Sequence, residues 1–335
     1  MNALAKRSKT PKTTPETLAK TTPADLAAAA DRTRDYFEAA DAKNTARAYA
    51  GDWRAFSAWC SKSRLDPFDA RSVALYVGAI GRDFSPATVA RRLAGISAAY
   101  RGRGLEAPSR SEAVRRTMKG FRRAAAEEGR TAQERKAPVT GPELRAMFAG
   151  LGDSTTEARD RAAVLVGFHG AFRRSELVAL DVADVVFERA GLRVRIRRSK
   201  TDQAGEGREI GILYHANAEL CAVRALRAWL DAAGILEGPI FRRIDRHGNT
   251  GAGRLSGEGV AIIVKRRAAA AGLDPARFAG HSLRAGLITA AALSGVPERA
   301  IANQSGHRSM PMLRRYVRAA SVFAESENVG AGLRL

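Results

Sequence analysis

Apolar residues recur at helical spacing through nearly the whole chain, and this regularity restricts the fold more than any other feature. Tyr49, Trp53, Phe56 and Cys60 stand at i, i+4, i+7 and i+11, the stripe of a helix with one buried face. Behind Ser85-Pro86, a cap followed by a first-turn proline, Val89, Leu93, Ile96 and Tyr100 repeat the period. Ser111 opens another helix, with Val114, Met118, Phe121 and Ala125 inward. Thr140-Gly-Pro-Glu143 has the form of a capping box, and helix continues through Ala162–Phe168. Leu220, Val223, Leu226 and Leu230 restore the period, and helices are expected from there to the end. The exception is Leu192-Arg-Val-Arg-Ile-Arg-Arg198, where apolar and basic residues alternate as in a half-buried strand. Glu209-Ile-Gly-Ile-Leu213 returns after a polar turn as its hairpin partner. The expected class is mainly α with a small β-hairpin or sheet.

A polar stretch divides these elements. Residues 127–139, EEGRTAQERKAPV, carry no helical stripe and end in Ala-Pro, which marks a linker. The division that follows is a disordered basic tail over 1–26, rich in Lys, Thr, Pro and Ala, and a helical domain over 27–127. A linker over 128–139, a second domain over 140–318 and a C-terminal segment over 319–335 complete it. A chain of 335 residues with 45% hydrophobic content can bury two cores.

Charge narrows the partner. Lysine and arginine number 56 against 35 acidic residues, a net charge of +21, which favours a polyanion such as DNA or RNA. From Arg82 to Arg123 there are 11 basic residues and 3 acidic ones. Arg115, Arg116, Lys119, Arg122 and Arg123 share the face opposite an apolar stripe, as a surface for phosphates would require. Solvated helix faces are the plainer reading of the same charges. Cys60 and Cys221 form no metal-type pair and read as reduced core residues. No apolar run approaches the roughly 18 residues of a membrane span, and no secretory segment opens the chain. A soluble, cytoplasmic protein is expected.

Six residues stand out chemically. Arg173 lies in Gly170-Ala-Phe-Arg173-Arg174-Ser175-Glu176, a break between helical patterns where Ser175 is the expected cap and Glu176 a first-turn acid. Lys200 falls where the first strand meets the hairpin turn. His281 and Arg284 are one helical turn apart and share a face. Gly306 reads as a left-handed helix stop before His307, and Tyr316 follows on a short helix between Arg315 and Arg318. Each alone fits a structural role: a helix-end imidazole, a core-edge tyrosine, a solvated lysine. A tyrosine amid cations below a His-x-x-Arg pair also suits covalent phosphoryl transfer, its hydroxyl attacking a phosphodiester while cations hold the developing charge.

This set, in this order, resembles the tyrosine recombinase or phage integrase family from about Thr140 to the C-terminus. The preceding helices, from about residue 27, look like that family's core-binding domain. The family pattern falls on Arg173, Lys200, His281, Arg284, His307 and Tyr316. Phe172 and Arg174 depart from the usual aliphatics, and Gln304-Ser305 stands where a leucine often precedes Gly-His. The resemblance implies a site-specific DNA recombinase working through a 3′-phosphotyrosyl intermediate, with no metal, cofactor or ATP. It makes Tyr316 the nucleophile and His281 the base that a phenol titrating near roughly pH 10 needs. Arg173 and Arg284 become the phosphate clamp, Lys200 the acid for the leaving oxygen, and His307 a phosphate hydrogen-bonding partner. The implied partner is double-stranded DNA, with free monomers assembling as a homo-tetramer on two duplexes. Residues 319–335, which include Val322 and Phe323, would form the protomer–protomer contact, and no accessory factor is specified. A type IB topoisomerase and a recombinase-derived DNA-binding protein that no longer cuts are the alternatives. A zinc site at His281 and His307 has too few Cys and carboxylate neighbours.

Overall fold

The structure, a computed structural model, describes residues 22–40, 43–130, 136–197, 199, 207–307 and 309–321. Contacts divide it into two compact units, within Met1–Gln133 and within Glu134–Leu335. The chain is mainly α, with two small antiparallel sheets among the described residues. No helix among these residues is long and apolar enough to cross a membrane.

The first unit contains α1 (Pro23–Ala40), α2 (Lys43–Ser63), α3 (Ala70–Ile80), α4 (Pro86–Arg101) and α5 (Glu112–Glu127). Of the tail expected over 1–26, residues 1–21 lie outside the described residues, and Pro23–Leu26 form the first turn of α1 instead. The cause is local. Asp25 accepts the Thr22 backbone N–H at 2.9 Å and its hydroxyl at 2.7 Å, while Thr22 Oγ1 accepts the Asp25 N–H at 3.2 Å. That reciprocal cap, with Pro23 in the first turn, starts a helix where composition suggested none.

The helical stripes of α2, α4 and α5 converge with α3 on a core of Phe56, Cys60, Val77, Leu93, Ile96, Tyr100 and Met118. The helices α2 and α4 approach closely at Gly95, where a Cβ would stand 3.0 Å from Asp52. Arg91 Nη2 donates to Asp52 Oδ1 at 2.9 Å across the same contact. Part of the basic surface is thereby committed. Arg91 is ion-paired, Arg92 lies 4.0 Å over the Phe84 ring, and Arg103 lies 4.3 Å over Phe68. Arg116, Lys119, Arg122 and Arg123 are exposed on α5 and take part in no salt bridge among the described residues.

The second unit is built on α7 (Thr155–His169), whose segment Ala162–Phe168 is buried on all sides, as a central helix must be. Around it stand α6 (Gly141–Phe148), α8 (Arg174–Ala179), α9 (Ala222–Ala232), α10 (Gly257–Ala270), α11 (His281–Leu293), α12 (Glu298–Ser305) and α13 (Met310–Ser321). The expected hairpin is present as β2 (Gly191–Ile196) against β3 (Arg208–Leu213), antiparallel, with Val194 opposite Ile210 and Leu192 opposite Ile212. Those four side chains and Ile196 are buried, while Arg193 and Arg195 point out. A short strand β1 (Val185–Phe187) joins the other edge.

Helices do not run unbroken from residue 220 to the end. The strands β4 (Arg242–Ile244) and β5 (Thr250–Arg254) pair between α9 and α10. Thr250-Gly-Ala-Gly-Arg254 has no apolar alternation to betray a strand. The hairpin is held at its turn, where Asp245 accepts the backbone N–H groups of His247 at 2.8 Å and Asn249 at 2.9 Å around Gly248 at φ 88°. One buried charge fastens this unit from within: Asp160, fully buried, is met by Arg159 at 2.9 Å, Arg267 at 3.2 Å and Arg266.

Before α6 the chain is already docked. Ala137 N–H donates to Arg277 O at 2.7 Å and Val139 N–H to Ser282 O at 3.0 Å. Against this segment α11 presents Gly286, where an added Cβ would lie 1.8 Å from the Val139 carbonyl oxygen. Gly286→Ala is therefore expected to lower stability by about 1–3 kcal/mol, seen as an earlier urea midpoint. Gly120→Ala on α5, where a Cβ meets nothing within 4 Å, should instead raise it by up to about 1 kcal/mol. Equal midpoints for the two variants would contradict this account.

Candidate active site

The site is assembled from the ends of helices. After α7 the chain turns through Gly170, where a Cβ would strike the Phe172 ring at 2.2 Å, and Ala171, which is buried with φ 48°. A left-handed alanine costs about 1–2 kcal/mol, so surrounding contacts must enforce it. This turn delivers Arg173 to the residue before α8. There Glu176 accepts the Arg173 backbone N–H at 3.0 Å and its Nη1 at 2.6 Å. The cap expected at Ser175 is thus displaced. The helix begins at Arg174, because the Glu176 carboxylate reaches back to the Arg173 N–H.

The two residues of the His-x-x-Arg pair sit on the first turn of α11. Arg284 is 2% exposed, and its Nη1 donates to Ala171 O at 2.7 Å and Ser305 O at 2.5 Å. Its Nη2 lies 3.2 and 3.3 Å from the two ring nitrogens of His307. Gly306, at φ 66° and ψ 39°, ends α12 as a left-handed stop and turns His307 toward Arg284. Ser305 Oγ donates to Ile301 O at 2.6 Å and lies 2.7 Å from His307 Nδ1, fixing the ring. Tyr316, on α13, places its hydroxyl 2.8 Å from His281 Nε2. The helix that carries Tyr316 packs through a separate small cluster, Ile288, Ile301, Ala302 and Leu313, with Met310 and Tyr316 against it.

Electrostatics follow from this crowding. Packing around His281 holds its pKa below the ordinary value, and Arg284, Arg174 and Arg173 push the same way. Burial, then Arg284, Arg173, His281 and Arg208, carry His307 down to about 4. Arg284 is lowered to about 10, first by burial and then by Arg173, and so stays charged near neutrality. Two neutral imidazoles therefore stand among fixed cations. A neutral His281 can take the phenolic proton of Tyr316, and the cations can hold charge developing on oxygen.

Five of the six residues singled out in the sequence meet here: Arg173, His281, Arg284, His307 and Tyr316. Lys200 lies outside the described residues. Sequence reasoning missed the roles of three others. Glu176, 2% exposed, anchors Arg173; its spacing three residues after an arginine was the available signal. Ser305 orients His307, and Arg208 enters from β3 with Nη1 on the carbonyls of Asn303 and Gln304 at 3.2 and 2.9 Å. Neither has a local signature, since both depend on contacts distant in sequence.

Comparison with known proteins is consistent across three kinds of match. The pattern of the Phage integrase family matches residues 138–321. An integrase/recombinase XerD homologue of Selenomonas ruminantium is 39% identical over 296 residues, 86% of this chain and 85% of the relative. The recombinase Cre of Escherichia phage P1 is 23% identical over 286 residues, 79% of this chain and 81% of that one. Among solved structures, XerH site-specific recombinase bound to its palindromic difH substrate after cleavage superposes with a TM-score of 0.54 at 18% identity, covering 77% of this chain and 69% of the other. The Tn1549 transposon integrase in complex with transposon right end DNA gives a TM-score of 0.54 at 14% identity, covering 81% and 94%. At such identities the structures share the fold.

The histidine environment has a measurable consequence. In the unfolded chain His307 takes up a proton near 6.5, in the folded protein only near 4, so protonation favours unfolding. Its contribution to stability is present above 6.5 and is lost as pH falls toward 4. The Tm of the parent protein should drop across that window, and His307→Gln should flatten part of the drop. Superimposable Tm–pH curves for the two proteins would refute the half-buried, cation-flanked imidazole.

Proposed function

The chain belongs to the phage integrase family, the tyrosine recombinases, and we propose that it is a site-specific recombinase that cuts and rejoins DNA through a 3′-phosphotyrosyl intermediate. The observation that carries this reading is the 2.8 Å contact between the Tyr316 hydroxyl and His281 Nε2, set beside a buried arginine. His281 removes the phenolic proton as the Tyr316 oxygen attacks phosphorus. The bond to the 5′-oxygen breaks, and that oxygen leaves as a hydroxyl after receiving a proton. By family resemblance the proton comes from Lys200. Arg173 and Arg284 stabilise the non-bridging oxygens, each by roughly 2.7–4 kcal/mol if it acts as an oxyanion donor. With Nη1 of Arg284 committed to the carbonyls of Ala171 and Ser305, Nη2, on the His307 side, is the nitrogen that would meet the phosphate. By family resemblance His307 is a hydrogen-bonding partner of the same phosphate.

The phosphotyrosyl bond stores the energy of the phosphodiester, so a second 5′-hydroxyl can attack it and strands are exchanged without ATP. Two duplexes present four strands to be cut, which is the chemical reason for a homo-tetramer. The exposed Arg116, Lys119, Arg122 and Arg123 on α5 would meet DNA phosphates and give affinity independent of sequence. Residues 319–335 would dock on a neighbouring protomer, and the reaction would take place in the cytoplasm.

Two experiments test this. The target is first recovered by selection from random-sequence duplexes and then supplied as a nicked suicide substrate. Tyr316→Phe should bind this DNA normally and form no covalent adduct, while Arg173→Ala should slow adduct formation by about 10²–10³-fold, far more than it weakens binding. An adduct surviving in the phenylalanine variant would place the nucleophile elsewhere. In the second experiment, removal of the residues after Arg318 should leave single-site binding near normal and abolish two-site complexes and recombination. Full assembly and recombination by the truncated protein would disprove trans docking.

A further inference from the structure

Arg208 opens β3 and projects into the site from the sheet, although nothing in its sequence surroundings distinguishes it. Its Nη1 donates to the carbonyls of Asn303 and Gln304 at 3.2 and 2.9 Å. These belong to the last turn of α12, whose carbonyls have no partner within the helix and where a positive charge also opposes the helix dipole. Its Nη2 is buried and finds no hydrogen-bond acceptor among the described residues; Glu176 Oε2 stands 3.8 Å away. The guanidinium also shapes the turn that follows. A Cβ at Gly306 would lie 2.9 Å from both Cζ and Nε of Arg208, and the backbone there is left-handed. A glycine is therefore required twice over, by conformation and by the nearness of Arg208.

The contacts form a continuous path. Glu176 holds Arg173 at 2.6 Å and faces Arg208 at 3.8 Å. Arg208 holds the end of α12, from which Ser305 O reaches Arg284 at 2.5 Å and Ser305 Oγ reaches His307 at 2.7 Å. The same arginine begins the strand that follows the Lys200-bearing segment in the chain. We propose that Arg208 is a positioning residue: it fixes the Gly306–His307 turn against the Arg173–Glu176 pair and ties β3 to that turn. This rests on the recombinase reading for its effect on rate, but not for its effect on the turn.

The test uses the full chain with Arg208→Ala and Arg208→Lys, compared by Tm, DNA affinity, single-turnover adduct formation and hydrogen exchange. The amides of Gly306 and His307, which donate to Ala302 O at 2.7 and 3.1 Å, report the turn directly. Arg208→Ala should exchange at least about tenfold faster at those amides and form adduct at least about tenfold more slowly, as loss of charged hydrogen bonds predicts. Affinity should stay within about twofold of the parent, and lysine, which keeps the charge without the planar fork, should recover part of both losses. Parental exchange at Gly306 and His307 in a folded alanine variant would overturn the proposal. So would faster exchange spread evenly over α7 and α11, the signature of general destabilisation. Parental protein that forms no adduct would defeat the recombinase reading, while the exchange comparison still decides the role of Arg208.

Discussion

Arg284 is a guanidinium in the protein interior that carbonyl oxygens, rather than a carboxylate, hold in place. The rest of the site takes its arrangement from this choice. One nitrogen joins the turn after α7 to the end of α12, so three segments distant in sequence become a single frame around one charge. A carboxylate there would neutralise the cation and weaken its attraction for a phosphodiester. Carbonyl dipoles fix the guanidinium while leaving its charge available. The left-handed backbone of Ala171 is intelligible in this light, since the strained residue supplies one of the two carbonyls.

The same frame accounts for the histidines. Burial first, and then the neighbouring arginines, push protons off the imidazoles, so His281 and His307 are neutral under conditions in which the arginines are charged. One crowded, cation-rich environment thus sets the charge state of both imidazoles. Glu176 tempers it on one side, anchoring Arg173 and facing Arg208 without contacting Tyr316 in any described hydrogen bond.

The sequence disclosed what depends on near neighbours along the chain. Stripes such as Val89, Leu93, Ile96 and Tyr100 predicted helices and their buried faces, the alternation at Leu192–Ile196 predicted a strand, and Gly306 predicted a left-handed stop. Five chemically marked residues could be selected because each stands in a recognisable spacing. Glycine-rich β5 was invisible, since its pairing relies on a turn more than on side chains. The roles of Arg208 and Ser305 were equally hidden, because carbonyls of α12 give them meaning. The seating of Arg92 and Arg103 over aromatic rings was likewise hidden from counting, although both keep their charge.

The cluster beneath Tyr316 is separate from the main core and, among the described residues, contains only four buried side chains, Ile288, Ile301, Ala302 and Leu313. Small clusters of this kind open with lower free energy than the body that carries them. Among the described residues, the helix bearing the tyrosine thus rests on far fewer buried apolar side chains than α7 and the sheet do. The distance between the Tyr316 hydroxyl and His281 Nε2 is accordingly open to adjustment by modest changes in a handful of side chains.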